Sequence, residues 1–234
     1  MKIHRFIGKF KLEEKHLAVS DAGFYNQIKN VLRLEPGDKI VLCDGNNNEA
    51  EVEVDSISKD NIKLKIGKVT INENEPKIKA VLYCAILKRE NFELVIQKAT
   101  EIGVKRIVPV ITARTVKLAI NMARLDVIAK EAAEQSGRGI VPEISKPISF
   151  ENACKDAKIN SVNYFFDISG KSQTLIKNGY DVAGIFIGPE GGWEGDEIKI
   201  ASNQGYNFVS LGNLTLRAET AAIVASYSVI NPNK

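Results

Sequence analysis

The hydrophobic pattern of this chain changes its period once, near residue 72, and that change limits the possible folds more than any other feature of the sequence. Before it, apolar residues recur at every second position. In Glu49-Ala50-Glu51-Val52-Glu53-Val54-Asp55 acids alternate with apolar residues, and Asn61-Ile62-Lys63-Leu64-Lys65-Ile66-Gly67 repeats the pattern with lysines, as strands with one buried face should. Another strand is expected at Asp38–Cys43, bracketed by Glu35-Pro36-Gly37 and Asp44-Gly45-Asn46-Asn47, both rich in turn formers. With short apolar pieces around Phe6 and Val31, residues 1–72 are predicted to form an all-β module, a small barrel. Lys63 and Lys65 share an exposed face there. Cross-strand pairing with Glu51 and Glu53 explains them at least as well as a phosphate track does.

The seam is the polar, proline-marked stretch Asn72-Glu73-Asn74-Glu75-Pro76-Lys77. Beyond it, a continuous apolar run, Ala80–Leu87, fits a strand buried on both faces. A helix follows, with Phe92, Val95, Ile96 and Ala99 on one stripe and Gly103 as its stop. Next come a strand at Ile107–Ile111 and a helix carrying Leu125, Ile128, Ala129 and Ala132 up to Gly137. Further strands are expected at Val162–Phe166, Gly184–Ile187 and Phe208–Leu211. Such alternation predicts an α/β domain over 73–234 with a mostly parallel sheet, whose ligands would sit beyond the carboxyl ends of the strands.

Composition removes several functional classes. A formal charge of +3 is too small to announce a polyanion partner by bulk electrostatics. The only histidines are His4 and His16, which argues against a histidine-rich zinc site, and no metal is expected. Three separated cysteines, Cys43, Cys84 and Cys154, suit burial as small hydrophobes rather than a disulfide framework. No run approaches the roughly 20 apolar residues of a spanning helix, and Met1–Arg5 does not open a signal peptide. The expectation is a cytoplasmic protein with no membrane partner.

Two loops stand at the predicted carboxyl ends. Ile187-Gly188-Pro189-Glu190-Gly191-Gly192-Trp193 has three glycines around a proline, allowing close backbone approach to a flat ligand, although a plain strand-to-helix turn reads the same way. It matches neither the dinucleotide fingerprint nor the P-loop. The second loop, Ser210–Ala221, carries Arg217 and Glu219 at a helix entry. There they are either functional or simply solvated, with Glu219 favoured by the helix dipole.

The strings IGPEGGW and SLGNLTLRAETA, with LVIQKATEIGVKRIVPV and EAAEQSGR upstream, resemble the ribosomal RNA small-subunit methyltransferase E family, of the SPOUT (trefoil-knotted) class. HRFIGKF and NVLRLEPGDKIVLCDG resemble that family's PUA-like RNA-binding domain, so the resemblance runs nearly end to end. It implies a PUA-like β-barrel over 1–72 and a knotted α/β domain over 73–234. It also implies a homodimer that moves a methyl group from S-adenosylmethionine to N3 of a uridine in 16S ribosomal RNA of the small subunit. Carried over by position, Ile187, Gly188, Gly192, Leu211, Gly212 and Leu216 would hold the donor, with Asn213 and Leu214 beside them. Arg217 would stabilise the imide oxygens, and Glu219 would accept the proton or orient Arg217; Glu190 is a weaker base candidate. Arg5, Arg33, Lys88, Arg89, Arg114 and Arg138 are the RNA-binding candidates. The chain departs from the family pattern at Lys88-Arg89-Glu90-Asn91, where Lys-Gly-Asp/Glu is usual, and at Leu214-Thr215, where Arg-Ile is common. Alternatives are another knotted methyltransferase acting on a ribose 2′-OH or a transfer RNA, or a non-catalytic RNA-binding assembly protein.

Overall fold

The structure is a computed structural model that describes residues 3–115, 119–172 and 179–232. The chain divides into two compact units, Met1–Glu75 with Ala133–Val141, and Pro76–Ala132 with Pro142–Lys234. The division departs from the expected boundary after residue 72, because a second segment closes the first unit. Asn72 and Asn74 donate through Nδ2 to the Gly137 carbonyl at 3.0 and 2.9 Å. Ile7 N–H donates to Glu134 at 2.9 Å, and Ala133 packs with Ile7 and Cys43. Nothing in the local pattern of residues 133–141 marks them as part of another domain's core.

In the first unit, β1 (His4–Ile7), β2 (His16–Val19), β3 (Lys39–Cys43), β4 (Asn48–Ile57) and β5 (Ile62–Ile71) form one sheet in the order β1-β3-β4-β5-β2. β1 runs parallel to β3 and the other pairs are antiparallel. The alternation holds: Ala50, Val52, Val54, Ile62 and Leu64 are buried in one core with Ile40 and Leu42. The all-β expectation is corrected by α1 (Ala22–Asn26), which runs into a π-helical turn at Gln27–Val31. Asp21 caps it, accepting from Phe24 N–H at 2.8 Å, as short polar side chains do at helix starts. Phe24 and Ile28, one turn apart, face the core while Val31 is 62% exposed; the apolar piece around Val31 is therefore helical. Glu51 pairs with Lys39 at 2.7 Å rather than with Lys63 or Lys65, so the expected cross-strand pairs do not form.

The second unit holds β6 (Lys79–Ala85), α2 (Arg89–Ile102), β7 (Arg106–Ile111), most of α3 (Met122–Ser136), β8 (Glu143–Ile144), β9 (Ile148–Ser149), α4 (Phe150–Asp156), β10 (Val162–Ser172), β11 (Val182–Ile187), α5 (Gly195–Asn203), β12 (Asn207–Ser210) and α6 (Ala218–Ile230). Its strands are all parallel, in the order β12-β10-β11-β6-β7-β8, with β9 also on β7. α2 ends as expected, Gly103 adopting φ 102° and Val104 N–H closing on the Ala99 carbonyl at 3.0 Å. β8, β9 and α4 were not legible; the first two have only two residues each. All three cysteines are free and buried, as expected. No described helix is long and apolar enough to cross a membrane.

One face of this sheet carries an aromatic layer, with Tyr83 stacked on Phe186 and Phe165 on Trp193, each at 4.4 Å between ring centroids. Its polar edge is anchored by Asp156, which accepts from Tyr83 Oη at 2.6 Å and is forked by Arg106. Burial pushes this carboxyl up, but the hydrogen bonds from Arg106 and Tyr83 outweigh it, and its pKa ends below the ordinary value. A depressed carboxylate stabilises the fold fully above its unfolded pKa and loses that contribution as pH falls through the native one. Asp156→Asn is therefore expected to lower stability by about 1–3 kcal/mol near neutral pH. The gap to wild type should close under acid, as urea unfolding at several pH values would reveal.

Candidate active site

The carboxyl ends of β6, β11 and β12, with β10 at Phe166 where its pairing with β11 stops, open on one cavity of about 980 Å³, reached by Ile86, Phe166, Ile187 and Ser210. This is where a parallel sheet presents ligands, because strand-end loops leave backbone groups unpaired there. Two loops enclose it. The first, Gly188–Trp193, turns back through Gly192 at φ 73°, with Gly192 N–H on the Pro189 carbonyl at 2.9 Å. Trp193 is buried behind it, donating from Nε1 to the Phe166 carbonyl at 3.1 Å. A Cβ on Gly188 would lie 3.0 Å from the indole, tighter than an ordinary contact, so the strand can pass the ring closely only as glycine.

The second loop leaves β12 through Ser210, whose Oγ donates to the Gly212 carbonyl at 3.0 Å, and Gly212 takes φ 121°. Both glycines at positive φ stand where a side chain would strain the backbone. Arg217 then caps α6 with its backbone, its carbonyl accepting from Ala221 N–H at 2.8 Å. Its side chain is exposed and makes no ion pair among the described residues. Glu219, in the first turn of α6, is 7% exposed, and its Oε2 is buried with no hydrogen-bond partner. An unpartnered buried acceptor costs about 1–3 kcal/mol; at the wall of a cavity it marks a place for a donor from a ligand. No ion pair joins Arg217 to Glu219, so the alternative that Glu219 orients Arg217 has no contact to rest on.

Of the anticipated donor-site positions, Ile187, Gly188, Gly192, Leu211 and Gly212 line this cavity. Leu214 and Leu216 do so as well, with Arg217 and Glu219, whereas Asn213 does not. The basic candidates separate. Lys88 and Arg114 reach the cavity. Arg89 is exposed and pairs with Glu93 at 3.0 Å, and Arg33 is exposed in the first unit at φ 55°. Two are corrected. Arg138 is 4% exposed and its fork is taken by Glu75, with contacts at 2.8 and 3.1 Å. Arg5 points to Glu49 at 2.5 Å and to the Cys43 thiol at 2.9 Å, with little of its side chain exposed. A largely buried guanidinium already satisfied by a carboxylate is not available to phosphate, unlike the exposed one of Arg89.

Sequence reasoning missed Ile86, Asn91, Asp167 and Ile168, which also line the cavity. Ile86 directly follows β6, Asn91 stands in the first turn of α2, and Asp167 and Ile168 continue β10 beyond the strand expected at Val162–Phe166; position next to a predicted strand end was the available signal. Lys88, Arg114 and Arg217 face the cavity against Asp167, Glu190 and Glu219, so its wall is charge-balanced. Among the described residues, no group of three His, Cys, Asp or Glu side chains is placed to hold a metal ion.

Two family models match the chain: an RNA methyltransferase domain over residues 73–230 and an RNA methyltransferase PUA domain over 28–67. The ribosomal RNA small subunit methyltransferase E of Rickettsia conorii is 31% identical over 233 residues, covering 96% of this chain and 94% of the relative. This chain belongs to the ribosomal RNA small subunit methyltransferase E family. The family's Bacillus subtilis member is 30% identical over 86% of this chain and 84% of its own length. Among solved structures, the Neisseria gonorrhoeae ribosomal RNA small subunit methyltransferase E bound to S-adenosylmethionine superposes with a TM-score of 0.89 at 28% identity, covering 97% of this chain and 96% of that one. A Legionella pneumophila methyltransferase in complex with the same cofactor gives 0.88 at 29% identity, covering 99% and 98%. The family membership accounts for a two-loop cavity in the second unit and for the small sheet that precedes it.

Proposed function

We propose that this protein methylates N3 of a uridine in 16S ribosomal RNA of the small ribosomal subunit, using S-adenosylmethionine. The observation that carries the reading is the convergence of Gly188–Trp193 and Ser210–Glu219 on one cavity, in a chain whose relatives include a methyltransferase E with that donor bound. The residues present fit such a ligand. The cavity lies near the upper end of the roughly 300–1,000 Å³ of small-molecule sites, and Ile187, Leu211 and Leu216 offer apolar cover for a purine. Balanced wall charges suit a molecule that carries both signs. Bound there, S-adenosylmethionine supplies an electrophilic methyl whose carbon–sulfur bond breaks, the electron pair staying on sulfur, as the N3–carbon bond forms.

Uridine N3 carries an imide proton and is a poor nucleophile until that proton leaves. The unpaired Oε2 of Glu219 is suited to accept it. The guanidinium of Arg217, free of other carboxylates, is suited to stabilise charge on the imide oxygens. N3 is also a pairing atom, so the target base has to reach the cavity unpaired or extruded from its helix. Arg33, Lys88 and Arg89 remain the RNA contacts in this reading, in which the first unit binds RNA, while Arg114 is held by Glu194 and the Gly191 carbonyl as part of the cavity wall. The reading also includes a homodimer, a trefoil knot in the second unit and a cytoplasmic place of action. What supports the dimer is Tyr227 of α6, a large aromatic left 48% exposed on an otherwise largely buried helix.

The test is methylation in vitro of naked 16S RNA and of small subunits with labelled donor, followed by nucleoside mass spectrometry. N3-methyluridine is the expected product. A 2′-O-methyl nucleoside would reject the base as target, and neither transfer nor calorimetric donor binding would reject the enzyme.

A further inference from the structure

Glu197 lies outside the cavity wall, yet it is the point at which two wall-forming loops are joined. It is the third residue of α5 and is 7% exposed. In a capping box the third residue's carboxylate reaches back to the N-cap backbone, and its second oxygen ordinarily faces water. Here Oε2 of Glu197 accepts from Glu194 N–H at 2.8 Å, and Oε1 accepts from Ala113 N–H at 3.0 Å, in the turn that follows β7. The reciprocal carboxylate does the same. Glu194 receives the Glu197 backbone in the box, and its Oε1 also accepts from Arg114 Nε at 2.7 Å. Arg114 then donates from Nη1 to the Gly191 carbonyl at 2.5 Å, within the glycine loop.

The β7 turn is itself braced. Thr112 N–H donates to Thr115 Oγ1 at 3.0 Å, and Thr115 N–H to the Thr112 carbonyl at 3.2 Å. Glu197 therefore grips a preformed turn, and that turn holds Arg114 against the loop. A Cβ on Gly191 would meet Arg114 Cδ at 3.3 Å, so the guanidinium stem lies directly over the glycine backbone. The buried Glu197 carboxylate makes charge-assisted hydrogen bonds, the stronger kind, whereas the Arg114–Glu194 pair is half-exposed and serves to aim the guanidinium at the Gly191 carbonyl.

We propose that Glu197 is a positioning residue for methyl-donor binding: by fixing Ala113 and Glu194 it sets Arg114, and through Arg114 it sets the wall from Gly191 to Trp193. The inference rests on the functional reading above and identifies what holds that site in shape. Glu197 touches neither donor nor RNA in this account. Its removal loosens the donor side of the cavity and leaves Arg217 and Glu219 on α6 where they are.

The test compares wild type, Glu197→Ala, Glu197→Gln and Glu194→Ala by calorimetry with S-adenosylmethionine and by steady-state kinetics. Glu197→Ala is expected to raise donor Kd and donor KM about tenfold, with kcat at saturating donor and the KM for RNA within about threefold of wild type. Glu197→Gln should fall between, because its amide oxygen can serve one N–H and its NH2 opposes the other. A purely structural role would lower the folded fraction and the apparent kcat together, with donor Kd per folded molecule unchanged; that result overturns the proposal. So does a folded Glu197→Ala protein with donor Kd within about twofold of wild type. Should Glu197→Ala not fold, Glu194→Ala decides, since Glu194 is half-exposed at its side chain and outside the cavity wall. Unaltered donor Kd in that variant also overturns the proposal. Wild type failing to bind the donor rejects the functional reading itself, a different outcome from wild type and Glu197→Ala binding equally well.

Discussion

Arg217→Ala is expected to lose about 10²- to 10³-fold in kcat while donor Kd stays within about threefold. The side chain is exposed at the entry of α6 and has no carboxylate partner among the described residues. Its removal therefore frees no buried group and leaves the fold undisturbed. What disappears is the positive charge facing an imide whose oxygens gain charge only as N3 is deprotonated. Such an interaction is stronger in the transition state than in the ground state, so its loss appears in kcat. Arg217→Lys should recover only part of the activity, because an ammonium cannot span two acceptors as a planar fork does. Single-turnover methylation with saturating donor is the measurement. Wild-type rates in Arg217→Ala would remove the residue from the reaction.

The second large effect concerns stability and site shape together. Trp193→Ala is expected to cost about 3–5 kcal/mol, the range for deleting a large aromatic from a packed core. The ring is 5% exposed, stacks on Phe165 at 4.4 Å and donates to the Phe166 carbonyl at 3.1 Å. It also backs Gly188, so the vacated space lets the first residue of the glycine loop retreat and weakens donor binding. Trp193→Phe keeps most of the stack and loses the hydrogen bond, at about 1 kcal/mol. Urea unfolding with and without donor separates the two contributions. A loss below about 1 kcal/mol in Trp193→Ala with unaltered donor Kd would contradict this account.

Much of the architecture was legible because burial imposes period. The alternation from Glu49 to Asp55 and the stripe Phe92, Val95, Ile96, Ala99 appear in the structure as β4 and α2, since one face of each has to be dry. Val31 misled because an apolar residue on a short helix need not face the core; Phe24 and Ile28 do that work. α4 escaped because a seven-residue helix offers scarcely two turns of pattern. At the site, glycine content located both loops, and strand ends located the cavity. Arg5 and Arg138 could not be sorted from Arg33 or Arg89 by spacing, because their partners Glu49 and Glu75 lie far away in the chain. The grip of Glu197 on Ala113 was equally hidden, for it spans 84 positions.

The first unit is assembled from two pieces of chain, and this governs how the protein can be dissected. A fragment ending at Glu75 would retain all five strands of the small sheet but strand the Glu75 carboxylate without Arg138, and Asn72 and Asn74 without the Gly137 carbonyl. During synthesis that unit waits for residue 141 before its last hydrogen bonds close, a long-range closure of the kind that slows folding. An excised N-terminal half is thus a poor stand-in for its counterpart in the whole chain, and an RNA-binding measurement on it would report on a surface whose supporting strap has been left behind.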